Sequence, residues 1–273
     1  MDLTNKEKNP RILLFIPMYN CEKQIVRVLG QLDNEILNHI DGLIVINNRS
    51  TDDGERAVID YLAEHDLGIS AKVLRNTENY GLGGSHKVAF QYAVQQGYDY
   101  VVVLHGDDQG HIDNLLPYLN SGEYKNSDCF LGARFMRGSV LDGYSAFRTF
   151  GNQVYDLLFS AVVRKRIFDL GSGLNLYSTK MLASGFYLKY PDNLMFNYCM
   201  ILGSAYYKHT MAFFPIRWSE DDQVSNVKLG NQAIRVLKFL GAYAKSPESF
   251  VVSDHRDRRV GTYLARVVWS NGR

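Results

Sequence analysis

The feature that most constrains this chain is an alternation. Four short runs rich in β-branched residues, 11–17, 42–47, 71–75 and 100–105, are separated by longer segments with helical apolar spacing, roughly 22–37, 52–64 and 84–96. Strands and helices that alternate in this way form a mainly parallel sheet covered on both faces, so a doubly wound α/β domain is predicted. In such sheets ligands bind beyond the carboxyl ends of the strands. The turns 17–22, 47–52, 79–87 and 105–109 are therefore predicted to converge on one cleft. A dinucleotide-dependent oxidoreductase would share this sheet, but Pro17-Met18-Tyr19-Asn20 stands where its Gly-x-Gly-x-x-Gly turn would follow the first strand.

The second half is less regular. A strand is predicted over 129–134, an apolar helix over 145–163, a strand over 174–178, helices over 179–188 and 193–208, and a strand over 211–218. Nothing rich in Gly, Pro or Ser marks a linker, and no internal repeat is present. From residue 229 onward eight basic residues face three acidic ones, a local charge of +5 in a chain whose total is +1. That total offers no global field for capturing nucleic acid. With 46% hydrophobic and 22% charged residues, 273 residues can bury a sizeable core. Cys21, Cys129 and Cys199 are too scattered for a disulfide framework or a thiolate metal site. The first eleven residues are polar, and no run approaches the ~20 apolar residues that span a bilayer. The chain reads as cytoplasmic, with any membrane contact peripheral, at the inner face.

Three segments carry chemistry. The buried run 101–104 leads straight into His105-Gly106-Asp107-Asp108-Gln109, and residues 105, 107 and 109 share one side if strand geometry persists. An imidazole, a carboxylate and an amide oxygen suit Mg²⁺ or Mn²⁺ with positions left for phosphate oxygens, and Gly-Asp-Asp is equally common as a strand-ending turn. Asn79-Tyr80-Gly81-Leu82-Gly83-Gly84-Ser85-His86-Lys87 is a glycine-rich loop opening a helix, suited to an anion or simply to a tight turn. Asn47-Asn48-Arg49-Ser50-Thr51-Asp52 ends a strand, where Ser50 or Thr51 can cap a helix and the Asn48 amide can pair with a base edge. His86, His111 and His209 have no partner visible in the sequence and read as structural or exposed.

Taken together and in this order, these segments resemble the family 2 glycosyltransferases of the GT-A fold, and within them the polyprenyl-phosphate (dolichyl-phosphate) sugar synthases and their bacterial relatives. Pro17-Met18-Tyr19-Asn20 is similar to the opening Pro-x-Tyr-Asn segment, Asn47 to Asp52 to the Asp-Asp-x-Ser-Thr-Asp segment, and His105 to Gln109 to the Asp-x-Asp-x-Gln metal motif. Gly132-Ala133-Arg134-Phe135, Arg148 to Asn152 and Ser172-Gly173-Leu174 are similar to three further segments, so the resemblance covers about residues 11–229.

The resemblance implies a Rossmann-like GT-A domain over 1–228, with a nucleotide-sugar half of about 1–110 and an acceptor half of about 111–228. A basic, helical C-terminal extension over 229–273 follows. It implies that Pro17, Tyr19, Glu22, Asn48, Ser50, Gly83, Lys87 and Asp107 hold a UDP- or GDP-linked sugar, that Asp107, Gln109 and His105 hold the metal, and that Asp107, Arg134, Arg148 and Asp221 serve catalysis. The implied reaction is inverting transfer to a lipid-phosphate or glycan acceptor, of the kind used in cell-envelope polysaccharide synthesis.

The departures are specific. His105 replaces the first metal-motif Asp, and Asn47 and Asn48 replace the base-binding pair. Glu220-Asp221-Asp222 stands where the lipid-phosphate enzymes carry Arg-x-x-Gly. Those carboxylates would repel a phosphate acceptor but could deprotonate a hydroxyl, whereas a phosphate, already ionised near neutral pH, needs no base. The other reading that these departures motivate is a degenerate GT-A protein that binds nucleotide sugar or glycan without turning it over. The apolar stretch 154–163 and the basic amphipathic stretch 233–245 read either as core helices or as surfaces for an anionic membrane.

Overall fold

The computed structural model describes residues 9–220 and 229–273, with side chains in the second stretch from 233 onward. The four β-branched runs form β1 (Ile12–Met18), β2 (Gly42–Asn47), β3 (Ser70–Asn76) and β4 (Tyr100–Leu104). They lie in the order β3-β2-β1-β4, every neighbouring pair parallel. The crossovers are made by α1 (Glu22–Gly30) with the short α2 (Asn34–Leu37), by α3 (Gly54–Glu64) and by α4 (Gly81–Gln95). All residues of β1 and β2 are buried, as strands covered on both faces must be.

Because strand side chains alternate, the two faces build two cores. Leu13, Phe15, Ile44, Ile46, Val101 and Val103 face Val88, Phe90 and Ala93 of α4. Ile12, Leu14, Ile16, Leu43, Val45 and Val102 face Ile25 and Val28 of α1 and Val58 of α3.

The second half supplies α5 (Leu116–Ser121), β5 (Cys129–Ala133), β6 (Val140–Asp142), α6 (Ala146–Val163), β7 (Leu174–Ser178), α7 (Thr179–Leu182), α8 (Met195–Tyr206), β8 (Met211–Pro215) and β9 (Arg217–Ser219). Beyond them lie α9 (Leu229–Lys245), α10 (Pro247–Val252) and β10 (Ala265–Ser270). β7 joins β4 and β5 joins β7, both antiparallel; β8 then lies parallel to β5. The sheet order is β10-β3-β2-β1-β4-β7-β5-β8, and β6 and β9 pair separately as a parallel ribbon.

Several predicted elements are divided. The helix predicted over 22–37 breaks after Gly30, and Asp33 restarts it as α2 by accepting the Ile36 N–H at 2.9 Å. The helix predicted over 179–188 ends at Leu182, three residues before Gly185 takes φ +68°. The strand predicted over 211–218 splits at Ile216, β8 staying in the main sheet and β9 leaving it for β6. The C-terminal extension is helical through α9 and α10 and then contributes β10, which pairs antiparallel with β3. That pairing covers β3 and makes β10 the edge strand of the sheet, a role that a charged tail does not advertise.

Candidate functional site

From β1 the chain winds outward to β2 and β3, then returns to place β4 on the other side of β1. The loops leaving β1 and β4 therefore diverge, and a crevice opens at this switch point. A cavity of about 240 Å³ lies there. Pro17, Met18, Tyr19 and Cys21 line it from the end of β1, and Asn48 from the end of β2. Asn79, Gly81, Leu82 and Ser85 line it from the start of α4, and His105, Gly106 and Asp107 from the end of β4. The predicted turns do converge. Of the site residues named from sequence, Pro17, Tyr19, Asn48, His105 and Asp107 reach the wall, whereas Glu22, Ser50, Gly83, Lys87 and Gln109 are not part of it.

The residues off the wall hold it in shape. Ser50 Oγ accepts from the Asn20 N–H (3.1 Å), and Asn20 Oδ1 accepts from the Thr51 N–H (2.8 Å), tying the first turn to the second. Glu22 N–H donates to Asp52 (2.9 Å). Asn47 receives the Ser50 N–H and donates to Glu55, which Arg75 also grips. The Asn48 amide is largely committed: its Oδ1 accepts from Asn76 (2.9 Å) and the Tyr80 N–H (2.8 Å), and its Nδ2 donates to Asn79 (2.8 Å). It braces the second turn against the glycine loop, which leaves little of it for a base edge.

Three non-glycine residues with positive φ, Asn20, Arg49 and Asp108, fall in the turns around this crevice. Each costs on the order of 1 kcal/mol and persists only where neighbours over-determine it. For Asp108 those neighbours are Arg27 of α1 (2.5 Å) and Gln31 just after it (2.9 Å), so its carboxylate is turned onto the end of that helix.

Lys87 has a different place from the one the motif suggested. Its fully buried ammonium donates to Asp192 (2.6 Å), to the Tyr190 carbonyl (2.6 Å) and to the Tyr263 hydroxyl (3.1 Å). The Asp192 carbonyl in turn accepts the Gly83 N–H at 2.8 Å. Gly81, at φ +73°, passes the same carbonyl so closely that a Cβ would collide with it. The glycine loop is thus seated on residues 190–193, and Lys87 secures that seat.

At the end of β4, Gly106 donates its N–H to the Pro17 carbonyl (3.1 Å), and a Cβ there would come within 2.9 Å of that oxygen. Only glycine lets the metal-motif turn close onto β1. Burial pushes the Asp107 carboxyl up to about 6 and the His105 imidazole down to about 4, the latter helped by Arg134. His105 is therefore neutral near pH 7, and its Nε2 is buried with no hydrogen-bond partner. Among the described residues no group of three or more His, Cys, Asp or Glu is arranged around one point. The cavity supplies one carboxylate and one imidazole, a set that fits a divalent ion whose remaining ligands are substrate and water oxygens.

Arg134 and Arg148 share the Tyr144 ring, and Arg134 acts electrostatically on His105. Arg134 is held bidentately by Asp169 (2.8 and 2.9 Å) under the rings of Phe135, Tyr144 and Trp218. Arg148 pairs with Glu220 (2.6 Å) and lies 4.5 Å over the Tyr144 ring. Asp221 lies outside the described residues, as does Asp222. The sequence reading had missed Asp169 and Asp192, the partners of Arg134 and Lys87. It had also missed Asp156, buried on α6 with neither carboxylate oxygen hydrogen-bonded.

The glycosyl transferase family 2 model matches residues 14–186. An undecaprenyl-phosphate mannosyltransferase of Micrococcus luteus is 26% identical over 172 residues, 63% of this chain and 68% of that one. A polyprenol monophosphomannose synthase of Mycolicibacterium smegmatis is 24% identical over 63% of each chain. Among solved structures, the Mycobacterium tuberculosis glucosyl-3-phosphoglycerate synthase with Mn²⁺, UDP-glucose and phosphoglyceric acid superposes with a TM-score of 0.60 at 17% identity, covering 88% of this chain and 81% of that one. S. aureus TarS with UDP-GlcNAc gives 0.57 at 18% identity over 85% and 66%. These neighbours establish the GT-A fold.

Proposed function

The chain belongs to glycosyl transferase family 2, and from that premise we propose that it moves a sugar from a UDP- or GDP-linked donor to a lipid-phosphate or glycan acceptor, with inversion at the anomeric carbon. The observation that carries this reading is the cavity at the β1/β4 switch point, with Asp107 and the neutral His105 on one wall and the opening of α4 on another. The named activities of the Micrococcus and Mycolicibacterium relatives favour a polyprenyl phosphate among the acceptors.

In this mechanism Tyr19 and Asn48 flank the nucleoside, and the start of α4 turns the positive end of its dipole toward the diphosphate, its Gly81, Gly83 and Gly84 N–H groups being taken by Asn79 and the Asp192 carbonyl. Asp107 and His105 would hold Mg²⁺ or Mn²⁺, and Gln109, which lies off the cavity wall, would have to turn toward them; the ion would supply positive charge opposite the leaving diphosphate. Asp107, whose carboxyl burial raises to about 6, would be held fully ionised beside a bound cation. Arg134, kept in place by Asp169, adds positive potential on the sugar side of His105, and Arg148 does so from α6. A phosphate acceptor attacks without a base; a glycan hydroxyl requires one, for which Asp221 is the candidate.

The test is thermal stability against UDP, GDP and their sugars with Mn²⁺, Mg²⁺ or EDTA, on wild type and Asp107→Asn. A donor present at ~100 times its Kd adds about 2.7 kcal/mol to the native state. A metal-dependent rise with one nucleotide, absent in the variant, is expected. Transfer of that sugar to a polyprenyl phosphate or a glycan then names the acceptor. No rise with any nucleotide refutes the donor site.

A further inference from the structure

α6 packs Phe159, Tyr155, Val162 and Val163 on the core and yet is also apolar on its outer face. Its inward-facing buried residues are Asp156 and Phe159. Its outer face carries Phe147, Phe150 and Leu157, which are 79%, 67% and 62% exposed, with Val154 and Leu158 beside them. At 100° per residue these five positions fall within one stripe about 100° wide, with Asp156 directly opposite Phe147. A single exposed apolar side chain needs no explanation; a continuous stripe on an 18-residue helix does.

The stripe continues onto a second helix. α9 packs beside α6, buries Val236, Leu240 and Tyr243, and exposes Ile234 and Leu237 with Gly241 and Ala244 in the same helical register. Basic side chains border both helices. Arg164, Lys165 and Arg166 are exposed at the end of α6 and have no ion-pair partner among the described residues. Lys238 and Lys245 are exposed along α9. The only acidic residue in either helix is the buried Asp156.

We propose that the joined outer faces of α6 and α9 dock on an anionic lipid bilayer, lying in its interface with the aromatic and aliphatic side chains inserted and the basic border on the headgroups. The charge decides the occupant. A second copy applied to this face would set five positive charges, Arg164, Lys165, Arg166, Lys238 and Lys245, against their own kind with no exposed carboxylate on either helix to answer them, an arrangement that opposes association. An anionic headgroup layer answers all of them. No helix among the described residues is long and apolar enough to cross a membrane, so the contact lies in the plane. The surface is argued independently of the acceptor.

The experiment is flotation of the full chain with phosphatidylcholine vesicles, with and without phosphatidylglycerol, at low and high salt and with no polyprenol present. Partitioning is expected to be at least about tenfold greater on the anionic vesicles and to fall with salt. It is expected to drop about tenfold in Phe147→Ser/Phe150→Ser/Leu157→Ser and in Arg164→Glu/Lys165→Glu. Val267→Ser, which removes a similarly exposed side chain on edge strand β10, should leave it unchanged. Nucleotide-induced stabilisation, measured on the same variants, should also be unchanged; it reports folding and separates failure of docking from failure of the donor site. Equal binding to neutral vesicles, no binding at all, or a soluble dimer that the triple substitution dissociates would each overturn the proposal.

Discussion

Asp156 should make the protein's stability fall as pH rises. Its carboxyl is enclosed on the inner face of α6 with neither oxygen hydrogen-bonded, beside an Asp169 whose charge is already taken by Arg134. Burial, followed by the Asp169 charge, pushes Asp156 from 3.8 up to about 8, with Arg134 and Arg166 opposing the shift. Between those values the folded chain holds a proton that the unfolded chain has released. The stability associated with that proton is fully present below about pH 4 and is lost as pH rises through about 8. At about 1.4 kcal/mol per unit, the loss between about pH 5 and about pH 9 is about 4 kcal/mol as a ceiling, and roughly half of that once the surroundings relax. Asp156→Asn removes the titration while keeping the shape. Melting temperatures of both proteins across this range, compared as a difference, cancel the groups that do not interact with Asp156. With ~2–4 °C per kcal/mol for a chain of this size, the variant should gain roughly 4–15 °C on wild type between the two ends. Parallel melting curves would refute the reasoning, because they would mean that Asp156 is already ionised, or already solvated, in the folded state.

Two further substitutions probe the walls of the cavity. Asn48→Ala strips the acceptor from the Asn76 amide and the Tyr80 N–H, both buried, and should cost about 2–5 kcal/mol by urea unfolding, with nucleotide-induced stabilisation lost in parallel. A cost below about 1 kcal/mol would show that the brace between the second turn and the glycine loop is dispensable. Lys87→Met leaves Asp192 without its ammonium in a buried setting and should cost about 3–5 kcal/mol. The added change Asp192→Asn should recover much of that loss, and a double variant no better than the single one would contradict the pairing.

The central sheet was legible because parallel strands buried on both faces must be continuously apolar, and β1, β2 and β4 are. Strand order then dictates which loops meet, so the convergence of residues 17–21, 48, 79–85 and 105–107 followed from topology without any knowledge of side-chain contacts. What could not be read was the identity of distant partners. Nothing near Lys87 in sequence announces Asp192, 105 residues away. Nor does anything near Asn48 say that its amide would be consumed by Asn76, Tyr80 and Asn79 rather than offered to a ligand. β10 escaped notice because its short β-branched run sits inside a segment dominated by charge.

Helix geometry would have corrected two of these readings. From Gly81, the wall residues Leu82 and Ser85 lie within about 100° on α4, whereas Lys87 lies about 240° around and faces the opposite side of the helix. A glycine-rich opening invites the assumption that the nearest lysine serves the phosphate, but angular position overrides proximity in sequence. The same arithmetic on α6 puts Asp156 opposite Phe147, so this helix carries its carboxyl inward beside the buried Phe159 and the Phe147 and Phe150 rings outward. That arrangement places a buried acid beside Arg134, which acts on His105, and an apolar, base-bordered stripe on the outside. One helix thereby links the electrostatics of the cavity to the surface argued to meet the bilayer.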